Sequence, residues 1–148
     1  MRKTAIHEAG HYVVLDYLYR NKRIGWEPLF STIIRRPKLL GYTKWTDWDD
    51  EIDHETKECA KIIFYLAGKI AEEFILSYTK NRKRKITSDE ILARETAKKL
   101  DKEDEILLSK CSEEAKRIVM ENKQRIISIS EYLLQNETIF YIQEKDIK

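Results

Sequence analysis

Residues 4–14, Thr4-Ala5-Ile6-His7-Glu8-Ala9-Gly10-His11-Tyr12-Val13-Val14, contain the chain's one His-Glu-x-x-His pattern. On an α-helix a spacing of four brings His7 and His11 to the same face about one turn apart, where two imidazoles can grip one ion. Glu8 lies beside that face, so its carboxylate reaches a water at the metal rather than the metal itself, which is where a general base is needed. The pattern fits a zinc-peptidase helix. The competing reading is two histidines and a glutamate brought together by chance on a solvated helix face, and the motif alone does not exclude it.

The elements that must position these side chains follow from hydrophobic spacing. Residues 2–21 have helix-compatible spacing, with Ile6, Val13, Val14, Tyr17 and Leu18 on the expected buried side and Thr4 as the expected N-cap. Tyr12 and Tyr17 read as packing residues. After Gly25 the pattern changes to two short apolar or β-branched runs, residues 29–34 and 40–45, separated by Arg35-Arg36-Pro37-Lys38, which predicts a strand pair around a turn. Beside the zinc helix, such a hairpin offers an edge on which an extended peptide pairs its backbone; an ordinary covering hairpin is the alternative. Trp26, Trp45 and Trp48 read as packing residues ahead of groove-lining ones. The acidic run Asp47, Asp49, Asp50, Glu51 and Asp53 reads as a loop entering a helix N-terminus.

Over residues 53–78 the apolar positions Ile63, Leu66, Ala67, Ile70, Ala71, Phe74 and Ile75 recur at three and four, predicting a long central helix. Ala67, Gly68 and Ala71 keep one of its faces small. Of the two acids that follow, Glu72 is preferred over Glu73 as a carboxylate that orients a zinc-ligating imidazole, against the plain reading of an exposed charge. His54 reads as a surface residue. The basic stretch at residues 81–85 reads as a solvated connection, with a gate near the cleft or a docking patch for an acidic partner as the sharper alternative. Thr87 or Ser88 then caps a helix carrying Ile91, Leu92, Ala93, Thr96, Ala97 and Leu100, with Asp89 in its first turn. Residues 103–135 predict a helical hairpin packed on the core, with Cys111 as a small buried hydrophobe.

Composition narrows the class. The 148 residues suffice for one compact domain over 1–148, and four Gly and two Pro among many Lys, Glu, Ile, Leu and Ala favour a mainly α fold with a small sheet. A net charge of +2, from 28 basic and 26 acidic residues, gives no reason to expect nucleic acid or a membrane surface as partner. Cys59 and Cys111 form neither a disulfide framework nor a paired-cysteine metal motif, and no membrane span or signal peptide is visible. The expectation is a soluble chain in the reducing cytoplasm.

Five stretches in order resemble the peptidase domain of the FtsH family, the membrane-anchored AAA+ zinc proteases. The segment from Thr4 to His11 is similar to that family's helix with two zinc-binding histidines and a catalytic glutamate, including the Glu-Ala-Gly-His core. Residues 31–36 with Leu39-Leu40-Gly41-Tyr42-Thr43 resemble its strand segment before the substrate-facing edge, which implies Gly41, Tyr42 and Thr43 as substrate-binding residues. Leu66-Ala67-Gly68-Lys69-Ile70-Ala71-Glu72-Glu73 resembles the Gly-Gly-Arg-x-Ala-Glu-Glu helix. Thr87-Ser88-Asp89, with Ala93 and Ala97 in step, resembles the Ser-Asn-Asp segment that supplies the third zinc ligand. One residue is missing there between Ser88 and Asp89, which leaves Glu90 as a rival to Asp89. Residues 130–139 resemble the family's C-terminal helix.

The resemblance implies a helical zincin fold with a β-hairpin beside the zinc helix, zinc held by His7, His11 and Asp89, and Glu8 as the catalytic base of an endopeptidase. It also marks departures. His7 stands six residues from Met1 and no Gly-x-x-x-x-Gly-Lys phosphate loop occurs, so the expectation is a peptidase acting without its own membrane anchor or ATPase. The connection between the Asp89 helix and the final helices is shorter than the family's. Substrates are expected to be peptides or flexible protein segments, or proteins delivered by a separate ATPase or adaptor. The alternative is a non-catalytic, zinc-containing protein-binding or regulatory module.

Overall fold

The computed structural model describes residues 1–34, 41–48, 51–77, 87–100 and 103–146. The expected turn at residues 35–38, Leu39, Leu40, Asp49, Asp50 and the basic stretch 81–85 lie outside the described residues. The elements run α1 (Arg2–Arg20), β1 (Trp26–Thr32), β2 (Tyr42–Asp47), α2 (His54–Leu76), α3 (Ser88–Leu100), α4 (Asp104–Glu121), α5 (Lys123–Asn136) and β3 (Thr138–Phe140), followed by a 3-10 helix, Tyr141–Asp146. The fold is mainly α with one small antiparallel sheet in the order β2-β1-β3.

Helix α1 packs against α2, α5 and β1, which together enclose it on nearly every side. Ala5, Ile6, Tyr12, Val13, Val14, Leu15 and Leu18 have no exposed surface. The long helix α2, expected to be the central one, thus shares the centre with α1. The two can approach closely because Gly10 faces α2; a Cβ there would stand 2.6 Å from the Ala71 Cβ. The expected N-cap at Thr4 is corrected: the first helical bond runs from the Ala5 N–H to the Met1 carbonyl at 2.9 Å, so Met1 is the cap residue and Thr4 lies inside the helix. His7 and Glu8 are consequently one turn deeper in the helix than a Thr4 cap would have put them. At the start of α2 the acidic run does end in a cap, with Asp53 accepting from the Thr56 N–H at 3.1 Å.

The two expected strands are present with shifted ends, β1 beginning at Trp26 and β2 ending at Asp47. Their antiparallel register pairs Ser31 with Thr43 and Thr32 with Tyr42, and it shifts between Pro28 and Phe30. Alternation along the strands turns Ser31 and Thr43 toward α1 and leaves Phe30 and Tyr42 on the outer face, where their rings meet at 5.5 Å. Trp26 stacks on Trp45 at 4.4 Å between centroids and both touch Phe64, so these two tryptophans pack as expected; Trp48 is exposed and donates to Glu27 at 2.7 Å. Strand β3 pairs with the other side of β1 and was not foreseen.

The expected helical hairpin over residues 103–135 is an open bend. Helix α4 packs on α2 and α5 packs on α1, and they scarcely touch each other. Only Asn122 separates them, its side chain donating to the Ile118 carbonyl at 2.8 Å, and one residue leaves no loop in which the chain can reverse. The C-terminal segment is then fastened to α1 through Asp16. This fully buried carboxylate accepts from the Tyr141 hydroxyl at 2.6 Å and from Arg20 Nε at 3.0 Å, and it pairs with Arg125 at 2.8 Å. Among the described residues no helix is long and apolar enough to cross a membrane.

Candidate metal centre

Three ligand-type atoms from two elements distant in sequence converge. His7 Nε2 and His11 Nε2 lie 3.1 Å apart, and Asp89 Oδ2 stands 3.3 Å from the first and 3.0 Å from the second. Helical spacing on α1 accounts for the histidine pair. Asp89 reaches it from the first turn of α3, whose start is set by Thr87: the Thr87 hydroxyl accepts from the Glu90 N–H at 3.2 Å. His54, the third histidine, is exposed at the start of α2. Glu90 is held elsewhere, accepting from Lys69 Nζ at 2.5 Å. Asp89 and not Glu90 therefore joins the histidines, and among the described residues these three form a group able to hold a metal ion.

The outer nitrogens of both rings are occupied. His7 Nδ1 bonds Glu72 Oε2 at 2.9 Å, and His11 Nδ1 donates to the Phe64 carbonyl at 2.9 Å. Donation from Nδ1 leaves the Nε2 of a neutral imidazole as a bare lone pair pointing inward. Two such nitrogens and a carboxylate oxygen aimed at one point repel one another unless a proton or a cation sits among them. The spacing suits the cation. Ligand atoms about 2.05 Å from a tetrahedral zinc lie roughly 3.3 Å from one another, close to the separations here. Gly68 completes the cradle: a Cβ on it would stand 2.5 Å from His11 Nε2 and 2.7 Å from His7 Nε2, so the α2 backbone presses directly on both rings. The donor set fits zinc, with His7, His11 and Asp89 as the residues that would hold it.

Electrostatics agree with that demand for positive charge. Burial works against a charged His7, yet hydrogen bonds with Asp89 and Glu72 outweigh it and raise its pKa to about 10. Burial pushes the Asp89 carboxyl up, but the two imidazoles overcome this and hold it well below the usual aspartate range. The raised His7 pKa and the lowered Asp89 pKa both mark a site that favours a positive charge.

Glu8 lies next to the cluster and is only 6% exposed. Burial raises its pKa above the ordinary glutamate value, opposed by the nearby His11 and His7. Its Oε1 accepts from the Thr43 hydroxyl at 3.3 Å, and Thr43 in turn shares a 2.9 Å hydrogen bond with Ser31. The inner face of the sheet thus fixes the carboxylate. His7, Glu8, His11 and Asp89 border one cleft of about 480 Å³, lined from the sheet side by Gly41, Tyr42, Thr43 and Trp45 and from the helices also by Phe64, Tyr65, Glu72 and Leu92. Gly41 and Tyr42 stand at its edge. Thr43, expected among the substrate-binding residues, is buried and turns its hydroxyl to Glu8.

Sequence reasoning passed over three contributors. The Phe64 carbonyl that orients His11 is a backbone group, invisible in residue identity. Ser31 falls within the expected strand over residues 29–34 with no assigned role, although a small polar residue at an inward strand position is the available signal. Tyr65 carried one too: it precedes Gly68 by three and Glu72 by seven, the spacing of one helical stripe.

No protein-family model matches the chain. It is similar to the ATP-dependent zinc metalloprotease FtsH 3 of Petrotoga mobilis, with 42% identity over 53 residues, or 36% of this chain. The match spans 8% of that protein's length. It links the chain weakly to a zinc metalloprotease.

Proposed function

We propose that the chain is a zinc-dependent endopeptidase that hydrolyses peptide bonds in peptides or flexible protein segments, independently of ATP. The observation that carries this reading is the convergence of His7, His11 and Asp89 on one point with the buried Glu8 carboxylate beside it. A purely structural zinc site has no use for that fifth-wheel carboxylate, whereas a hydrolytic site needs a base there. Bound zinc would supply Lewis-acid polarisation and lower the pKa of a water toward neutrality.

The chain's own residues supply the rest. Glu8 takes a proton from the attacking water and returns it to the leaving nitrogen, and its raised pKa suits both halves of that exchange. Thr43 holds the carboxylate in place. The β2 edge from Gly41 to Thr43 offers backbone groups to an extended substrate. Glu72 and the Phe64 carbonyl keep the imidazoles aimed inward. Folded substrates would need delivery by a separate ATPase or adaptor, and a reducing cytoplasm suits the two free thiols.

The test is cleavage of a fluorogenic peptide library by zinc-loaded protein, compared with Glu8→Gln at equal zinc content. Turnover that disappears with Glu8→Gln is expected. A Glu8→Gln protein as active as the native chain contradicts the mechanism, and a zinc-loaded native chain that cleaves nothing points to a binding module instead.

A further inference from the structure

Tyr65 is a polar group in the cleft that the reading above leaves unused. It lies on the α2 stripe that also carries Gly68 and Glu72 at three and seven residues further on. Both neighbours on that stripe serve the histidines, Gly68 by pressing on their Nε2 atoms and Glu72 by bonding His7. Side chains on a helix lean toward its N-terminus, so the Tyr65 ring covers the cleft wall just before Gly68 rather than the metal point itself. Its ring packs on Phe64 at 5.7 Å, beside the carbonyl that orients His11. The side chain is half-buried, and its hydroxyl makes no hydrogen bond to another described residue. Burial and then the charges of Glu58 and Asp89 raise its pKa, which keeps the phenol protonated and able to donate.

Peptide hydrolysis creates a need for such a donor. When the water oxygen bonds to the carbonyl carbon, the π pair of C=O moves onto the carbonyl oxygen as an oxyanion while Glu8 takes the water proton. On collapse the C=O bond re-forms, the C–N bond breaks and the proton passes from Glu8 to the departing nitrogen. Glu8, the ligand carboxylate Asp89 and Glu72, which orients His7, are acceptors or negative, so none of them stabilises that oxyanion. Resting on the peptidase reading, we propose that Tyr65 is a further catalytic residue, its hydroxyl donating a hydrogen bond to the oxyanion of the attacked carbonyl. It transfers no proton, and its contribution is confined to the transition state.

The experiment compares native chain and Tyr65→Phe, both zinc-loaded, in two readouts. For a fluorogenic peptide, kcat is expected to fall by about 100-fold with KM within twofold and zinc content unchanged, the size associated with losing one oxyanion donor. For a phosphinic pseudopeptide, whose tetrahedral P–O⁻ occupies the oxyanion position, binding is expected to weaken by at least tenfold, while a ketomethylene peptide isostere binds equally to both proteins. Native kcat and native phosphinate affinity in Tyr65→Phe overturn the proposal and leave the peptidase reading standing. A loss confined to KM, or equal for both ligands, overturns it in favour of packing. A native chain that neither cleaves peptides nor binds the phosphinate removes the peptidase reading and the role of Tyr65 with it.

Discussion

The contact between Gly68 and the two imidazoles gives the sharpest quantitative prediction. In Gly68→Ala the new Cβ would stand 2.5 Å from His11 Nε2 and 2.7 Å from His7 Cε1 and Nε2. Ordinary contact between such atoms is about 3.5 Å, so the rings must retreat by roughly 1 Å. They cannot do so freely, because His7 is tied to Glu72 and His11 to the Phe64 carbonyl, each at 2.9 Å. A metal site tolerates ligand displacements of only about 0.2 Å. Disturbing the groups that orient one ligand costs about 10- to 100-fold in metal affinity, and here two ligands move, so zinc binding is expected to weaken by roughly 100-fold or more. Metal-free stability should change far less. Overpacking costs about 1–3 kcal/mol, but replacing a mid-helix glycine by alanine returns about 1 kcal/mol of helix propensity. The assay is competition for zinc against a chromogenic chelator, with thermal unfolding of the metal-free protein measured in parallel. Zinc affinity within threefold of native refutes the packing argument. A metal-free protein that no longer folds shows instead that the α1–α2 contact is worth more than the site.

Four other tests probe different parts of the account. Glu72→Ala removes the hydrogen-bond partner of His7 and should weaken zinc binding by about 10- to 100-fold, read in the same chelator competition; an unchanged affinity means His7 needs no such support. Because the pKa of His7 is raised from 6.5 to about 10 in the metal-free fold, zinc uptake at pH 7.5 should release close to one proton, measured by calorimetry in buffers of different ionisation enthalpy. The same raised pKa means that His7 stabilises the metal-free fold fully below about pH 6.5 and ceases to do so as pH rises through 10, so the metal-free Tm should fall across that window. A pH-independent Tm between 7 and 10 contradicts it. Asp16→Ala removes the buried acceptor shared by Arg125 and the Tyr141 hydroxyl and leaves Arg125 to Glu144 alone, with an expected loss of about 3–5 kcal/mol for two charge-assisted hydrogen bonds at about 1.5–3 kcal/mol each. Unfolding should then occur roughly 8–16 °C lower, and a shift under 2 °C would show that the C-terminal segment is held by other contacts.

What could be read from residues alone follows how local each feature is. His7, Glu8 and His11 are set by the repeat of a single helix, so their mutual placement needs nothing beyond that helix. Glu72 was reachable for the same reason, through the periodicity of α2. Asp89 was not, because 78 residues separate it from His11 and its approach depends on how α3 packs on α2. Only the family resemblance singled it out. The fold divides the same way: the long helices carry many periodic positions, whereas β3 has three residues and no pattern to detect. Its pairing with β1 is a tertiary event, secured by the Thr32–Thr138 hydroxyl contact at 2.8 Å and by the anchoring of Tyr141 to Asp16. The bend at Asn122 was misread because apolar spacing reports which faces are buried and not whether two helices lie side by side. The completeness of α1's burial was equally hidden, since its polar residues, Glu8, His11 and Asp16, are satisfied by partners far along the chain.

The most direct test of the proposed centre is X-ray absorption at the zinc edge of the loaded protein. The account predicts one zinc per chain in a four-coordinate shell of nitrogen and oxygen at about 2.0–2.1 Å, with the multiple-scattering signature of two imidazoles. A sulfur shell at about 2.3 Å, which only Cys59, Cys111 or a methionine could supply, or a six-coordinate oxygen shell without imidazole, would contradict it.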